Sequence, residues 1–450
     1  MKKSLLAASL CFTVFAGNAQ TNPAILAWLQ NTSAFGSHYI QNNFTPIQDN
    51  MLVNVQTVQY SVNWVYATTN GIPAYTTGPF LDGNPSQATD QNAIFKIPLN
   101  PTQNTGTPTA TTGGNIGVFI NGVALFDYRD GVSYKLSTGQ EAGGPLGGMG
   151  DGVWNRDAVP AEMIGFDCAK GHPAMGNYHH HQNPSAFDLD LVQVSTVCNL
   201  YASDGLYVID STVHSPLLGF AYDGFPIYGA YGYLNTNGTG GIVRMKSGYY
   251  LRNITVRTHY ADGSDVTDGP AVNSTYPLGR YREDYEYIAS ANPDQLDEHN
   301  GRFCVTPEYP NGIYCYFCTV DANWNSYYPY VVGPTFYGNK VAAKVTSITE
   351  STTTYIPPAS GISQTEMNRM QFTVYPNPAQ DFVAVQVGDL VTSQIKVSML
   401  DMTGRLIQQV FINPGSTIAY LDTRTVYDGQ YIIQIASGES MRTSKVVLAR

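Results

Sequence analysis

Positive charge is scarce in this sequence. Its 450 residues hold 23 lysines and arginines against 34 acids, a formal charge of −11. No basic run breaks that balance, which argues against nucleic-acid binding. Long apolar stretches are also missing. Residues 5–15 form an apolar run well short of the ~20 residues a spanning helix needs, and no other segment is apolar enough to cross a membrane. With Lys2 and Lys3 before it and Gly17-Asn18-Ala19 after it, this run reads as a secretory signal peptide over 1–19. Losing the two lysines takes the formal charge from −11 to −13. No lipobox follows the signal peptide, because Cys11 lies inside the apolar run.

Cysteine is sparse and odd in number. Cys168, Cys198, Cys304, Cys315 and Cys318 remain after cleavage, so at least one thiol stays outside any intrachain disulfide. Export meets an oxidising environment in which disulfides form. Cys315-Tyr-Phe-Cys318 has the CxxC spacing, but 313–320 reads as a strand. Side chains at i and i+3 of a strand point to opposite faces and do not bridge easily, and no second CxxC completes a zinc knuckle. The familiar catalytic signatures are absent as well: no HExxH, no GxSxG elbow, no Walker loop and no EF-hand loop. Asp188-Leu-Asp190 is too little for a calcium site by itself.

Helix signals are few. Asn22-Pro23 and Asn292-Pro293 each place an asparagine cap before a proline at the first helical position. Elsewhere Asn-Gly and Asp-Gly pairs, the residues of tight hairpin turns, separate β-branched and aromatic runs such as 53–60 and 206–209. The expected fold is mainly β: a large β-rich domain over 20–344 with few short helices, a Ser/Thr/Pro linker over 345–371, and a small β-sandwich over 372–450. The 32 tyrosines suit strands and half-buried extracellular surfaces first, and an aromatic-lined glycan, small-molecule or metal pocket second.

Histidine is also rare, and its placement is the most informative feature. Four of eight lie within ten residues: His172, His179, His180 and His181. If 177–182 is extended, Tyr178 and His180 face one way while His179 and His181 face the other. Two histidines at i and i+2 can reach one ion, and His172 can fold back across Met175-Gly176 as a third. Three neutral imidazoles suffice for a catalytic zinc or a copper site. Copper is slightly favoured over zinc, since tyrosines crowd the motif and no HExxH-like base is present. His214 is the expected fourth ligand, and His299 is another candidate. Asp167, Asp223 and Glu298 are candidate acceptors that orient the rings, and Tyr222 a candidate pocket residue. The bland alternatives are hydrogen-bonded surface histidines or a histidine tract without an ordered site.

Two resemblances narrow the setting. Tyr375-Pro-Asn-Pro-Ala379, Met402-Thr-Gly-Arg405, Asp428-Gly-Gln-Tyr431 and Lys445-Val-Val-Leu448 resemble the type A sorting domain of the type IX secretion system. That resemblance implies export in two steps, handling by the type IX machinery, and a final place outside the cell or on its outer surface. Gly176-Asn-Tyr-His-His-His181 resembles the signature of the YHYH domain family. Asn70-Gly-Ile-Pro73, Asn121-Gly-Val123, 166–173, 214–229, 297–302 and 309–317 follow the family's order, over about 53–338. Two departures stand out: Tyr75 lies where the family often has histidine, and His180 lies where it usually has tyrosine. The resemblance implies a domain type and no activity. Three functions therefore stay open: transition-metal binding, a metal-independent hydrolase using a histidine base, and a surface protein that binds glycan.

Overall fold

A computed structural model of the chain describes residues 22–357, apart from 84–85, 191–194 and 202–203, and residues 372–450, apart from 389–393, 403, 414 and 438–439. The signal peptide read over 1–19 and positions 358–371 of the expected linker lie outside the described residues. The chain divides into two compact units, Met1–Tyr355 and Ile356–Arg450. Both are built of β-strands, as expected, and no helix among the described residues is long and apolar enough to cross a membrane.

An eight-stranded sheet organises the first unit. Its spatial order is His172–Ala174, Asn177–His180, Ala124–Phe126, Asn115–Phe119, Leu217–Ala221, Pro226–Tyr228, Ile313–Phe317 and Gly301–Cys304. All pairings are antiparallel except that of Asn177–His180 with Ala124–Phe126 and that of Pro226–Tyr228 with Ile313–Phe317. A five-stranded sheet runs Ala343–Val345, Ala93–Pro98, Trp64–Thr69, Val55–Tyr60 and Thr353–Tyr355. The inward residues of both sheets share one core. Val55, Val58, Val65, Phe95 and Ile97 from the smaller sheet join Val118, Phe119, Leu125, Phe220 and Ile227 from the larger. Burying each such side chain is worth about 1.5–3 kcal/mol, so this core fixes the site-bearing strands at their inner end.

The short helix Pro23–Leu26 forms where the Asn22-Pro23 signal placed it, and the Asn22 side chain accepts from Ala24 N–H. The second helix signal fails. Residues after Asn292 make a turn and an isolated bridge between Lys246 and Gln295. Lys246 N–H donates to Asp294 and Leu296 N–H donates to Lys246, so the neighbouring chain takes the groups a helix would have used. The 206–209 run is not a strand either; Tyr207 instead buries its ring and donates to Asn183 at 2.6 Å. The Ser/Thr-rich stretch at the head of the expected linker forms the edge strand Thr353–Tyr355 on Val55–Tyr60. Threonine is as apt for an edge strand as for a linker.

The second unit is a two-sheet sandwich. Phe372–Tyr375, Phe382–Val387 and Ile418–Asp422 form one sheet, and Leu406–Ile412, Ile395–Asp401, Gly429–Ser437 and Ser440–Leu448 the other. Val383, Val385, Val397, Met399, Ile433 and Ile435 fill the space between them.

Candidate metal centre

The cluster is built on an edge hairpin. His172–Ala174 pairs with Asn177–His180, and His172 lies directly opposite His179. The turn residues Met175 and Gly176 both have positive φ, 49° and 84°, as a type I′ hairpin turn requires. Strand alternation then sends His179 and His181 to one face and Tyr178 and His180 to the other.

On the first face three imidazoles converge. Nε2 of His179 is 3.0 Å from Nε2 of His181, which is 3.4 Å from Nε2 of His172. The three rings offer ligand atoms that all lie within 4.8 Å of one another. Each contact is positioned from behind. Phe126 stacks on His179 at 3.8 Å between ring centres, and Phe166 meets His172 edge-on at 4.8 Å. His179 Nδ1 is 2.8 Å from the Asn177 carbonyl, and His181 Nδ1 is 2.6 Å from the Asp127 carbonyl. A carbonyl can only accept, so both Nδ1 atoms carry hydrogen and both neutral rings aim an Nε2 lone pair at the shared centre.

A fourth group completes the face, and sequence reasoning did not find it. Glu162 caps the end of the helix Ala158–Ala161, which starts at Asp157, whose side chain accepts from Val159 N–H. Its Oε2 lies 3.3 Å from His172 Nε2 and 3.4 Å from His181 Nε2. This oxygen is buried and has no conventional hydrogen-bond partner. The mutual 4.8 Å set comprises the three histidines, so Glu162 approaches the group from the side of His172 and His181. Burial alone would raise the Glu162 pKa, but contacts with His172 and His181 outweigh it and hold the carboxyl below its ordinary value. Burial and the neighbouring imidazoles push His179 well below its ordinary value, which keeps it neutral. Burial opposes protonation of His181 too, but Glu162 prevails and raises it. No HExxH-like spacing announces Glu162. Its only sequence signal is its place at the end of the short turn capped by Asp157.

The opposite face is a closed hydrogen-bond network. His180 Nε2 is 2.7 Å from the Tyr75 hydroxyl, and its Nδ1 is 3.1 Å from the Lys170 carbonyl. Tyr178 donates to Asp167 at 2.9 Å, and Asp167 also accepts from the backbone of Gly78, Ala169 and Gly171. Burial lowers His180 to about 3 and raises Asp167 to about 7. Asp167 thus orients Tyr178 and the 167–171 loop, not the rings of His172, His179 and His181. The two departures from the family pattern meet here: Tyr75 and His180 are hydrogen-bonded to each other.

The remaining sequence candidates lie elsewhere. His214, the expected fourth ligand, packs among Tyr228, Tyr233 and Phe317, with its Nδ1 2.8 Å from the Ser215 carbonyl. The strand that follows it, Leu217–Ala221, is separated from the histidine hairpin by Ala124–Phe126 and Asn115–Phe119. His299 sits against Thr335 and Tyr337, with Glu298 at 3.9 Å. Asp223 accepts from Tyr316 at 2.6 Å and from Gly338 N–H at 2.8 Å, closing the hairpin after Leu217–Ala221. Tyr222 precedes it, and its backbone is taken by Ile116, Val341 and Ala342. Among the cysteines, Cys168 bonds Cys198, and Cys304, Cys315 and Cys318 are free and buried. The CxxC pair is therefore unbridged, although the strand expected over 313–320 ends at Phe317 and leaves Cys318 just beyond it.

The fold and this histidine face define a β-rich exported protein with a preassembled imidazole centre. Residues 94–329 match the family described as YHYH protein, and the chain belongs to that family. Residues 373–449 match the secretion system C-terminal sorting domain. The protein is accordingly a secreted or outer-surface protein sorted by type IX secretion. A search of curated proteins returned no match.

Proposed function

We propose that the YHYH unit binds one transition-metal ion through Nε2 of His172, His179 and His181, with Glu162 as the fourth protein group. The observation that carries this reading is the 3.0 Å approach of two buried Nε2 atoms whose hydrogens are committed to the other nitrogen of each ring. Two facing lone pairs repel unless a cation, a metal ion or a proton, lies between them. A tetrahedral ion with bonds of about 2.0–2.1 Å sets its ligands about 3.3 Å apart, near the 3.0–3.4 Å found around His181. Imidazole and carboxylate suit zinc and copper, and no thiolate or thioether joins the set.

The test is elemental analysis of untagged protein beside a His179→Ala/His181→Ala double mutant. About one zinc or copper per chain in the wild type and almost none in the mutant is expected. Equal metal in both would end the reading. A second reading rests on the Glu162–His181 contact: a proton in place of the metal would make this pair the acid–base couple of a hydrolase. An activity that survives exhaustive chelation but is lost in His181→Ala would select it. Removal of 358–450 should leave metal content unchanged while abolishing delivery to the outer surface.

A further inference from the structure

A pocket of about 370 Å³ opens on the first unit, with Arg129, Asn155, Tyr249, Arg282, Tyr285 and Tyr328 among its walls. None of the residues of the histidine face lines it. Its two arginines are in different states. Arg129 is committed: it pairs with Asp127 at 2.6 Å and donates to the Thr111 carbonyl. Arg282 is not. Its side chain is only 18% exposed, and its closest acid contact is Glu283 at 3.4 Å. Among the described residues its guanidinium donates no conventional hydrogen bond. Glu283 itself is turned to Asn155, whose backbone and side-chain N–H groups donate to it at 2.7 and 2.8 Å.

A guanidinium has five donors in a planar fork that matches a carboxylate. Leaving them largely unused in a half-enclosed pocket is costly unless something else accepts there. Around this fork Tyr249, Tyr260, Tyr285 and Pro334 contribute ring surface to the walls. Tyr328 is buried and backs Tyr285, stacked on it at 4.1 Å with 9° between their planes, and the buried Tyr128 supports the guanidinium from outside the pocket at 5.8 Å. Most of the tyrosine hydroxyls are already engaged, that of Tyr249 with the Glu298 carbonyl and that of Tyr328 with Tyr128. The rings therefore contribute flat apolar surface more than donors. A pocket of this size, with one cation whose fork makes no hydrogen bond and with flat walls, fits a small ring-bearing molecule with one acidic group.

We infer that this pocket binds a small carboxylate carried on a ring, with Arg282 gripping the carboxylate and the tyrosine walls covering the ring. Uronic acids of an acidic glycan and aromatic acids share that chemistry. This site stands independently of any metal.

The test is calorimetric titration of the full chain with galacturonate, 4-hydroxybenzoate, their neutral counterparts galactose and phenol, and acetate. One of the two acids should bind at least tenfold more tightly than its neutral counterpart and than acetate, and which acid does so names the source. Arg282→Gln should weaken that acid at least tenfold with unchanged thermal unfolding. If Arg282→Gln does not fold, Arg282→Lys, which keeps the charge but loses the fork, should weaken it measurably. Failure of both acids, equal binding by acetate or by the neutral ring, or unaltered affinity in the folded arginine variant would overturn the inference.

Discussion

The two faces of the strand Asn177–His180 and its continuation at His181 are built from the same residue types, yet end in opposite conditions. On one face His180 and Tyr178 are saturated: each polar atom meets a partner of the opposite kind, Tyr75, the Lys170 carbonyl or Asp167. On the other, His179 and His181 aim Nε2 acceptors at each other, His172 Nε2 stands 3.4 Å from His181, and the further polar neighbour found there is the carboxylate of Glu162. A saturated buried network specifies structure. A buried group of like acceptors is costly, and persists where something absent from the chain completes it. Burial and histidine content do not separate these faces; the direction of the hydrogens does.

The largest expected effect comes from breaking the unsatisfied face. His181→Ala should abolish metal binding, and Glu162→Gln should weaken it on the order of 10- to 100-fold. His180→Phe should leave the metal in place while lowering stability by about 1–3 kcal/mol, the cost of stranding its buried partners. Stripping the wild type with a chelator should lower its melting temperature, because an ion present at a thousandfold its dissociation constant contributes about 4 kcal/mol. The His181→Ala protein should show no such fall. Metal analysis and thermal unfolding of the three variants check the set. Retention of metal by His181→Ala, or its loss from His180→Phe, would erase the contrast between the faces.

The saturated face should reveal itself through pH. Burial raises Asp167 from an ordinary 3.8 to about 7, so the folded protein holds this proton more tightly than the unfolded chain does. Its contribution to stability is then full below about pH 4. It is lost as pH rises towards about 7, and is constant beyond. A shift of that size is worth about 4 kcal/mol at most. Denaturant unfolding of the wild type should show this decline, and Asp167→Asn should flatten it. An Asn variant with the same slope would place the titration on another group.

How much of this was legible in the sequence follows from the range of each interaction. The strand period and the Met175-Gly176 turn are local, and they were enough to separate His179 and His181 from His180 and to fold His172 onto them. Glu162 was not legible. It reaches the cluster through the course of the 163–171 loop, which no periodicity encodes. His214 was misplaced for the converse reason: a distinctive local motif says nothing of which end of an eight-stranded sheet it will join. The edge strand Thr353–Tyr355 escaped because its partner, Val55–Tyr60, lies some 300 residues earlier, and its threonines read equally well as linker.

The smallest effect, and the sharpest, concerns the exchanged pair. Tyr75→Phe removes one hydroxyl from the contact with His180, and should cost about 1 kcal/mol without altering metal content. Tyr75→His alone places two imidazoles together, and His180→Tyr alone places two phenols together. Each single change loses the complementary ring pair inside a buried space already shared with Tyr178, 6.4 Å away between ring centres. The double exchange, Tyr75→His with His180→Tyr, restores one phenol and one imidazole in the opposite order. If what this face requires is the pair and not the position of either ring, the double variant should be more stable than the sum of its singles by about 1 kcal/mol or more, a coupling that a thermodynamic cycle reads directly. Additive losses would mean that the order matters: the Lys170 carbonyl, which in this protein receives the imidazole Nδ1–H of residue 180, would then be the element that fixes histidine at that position.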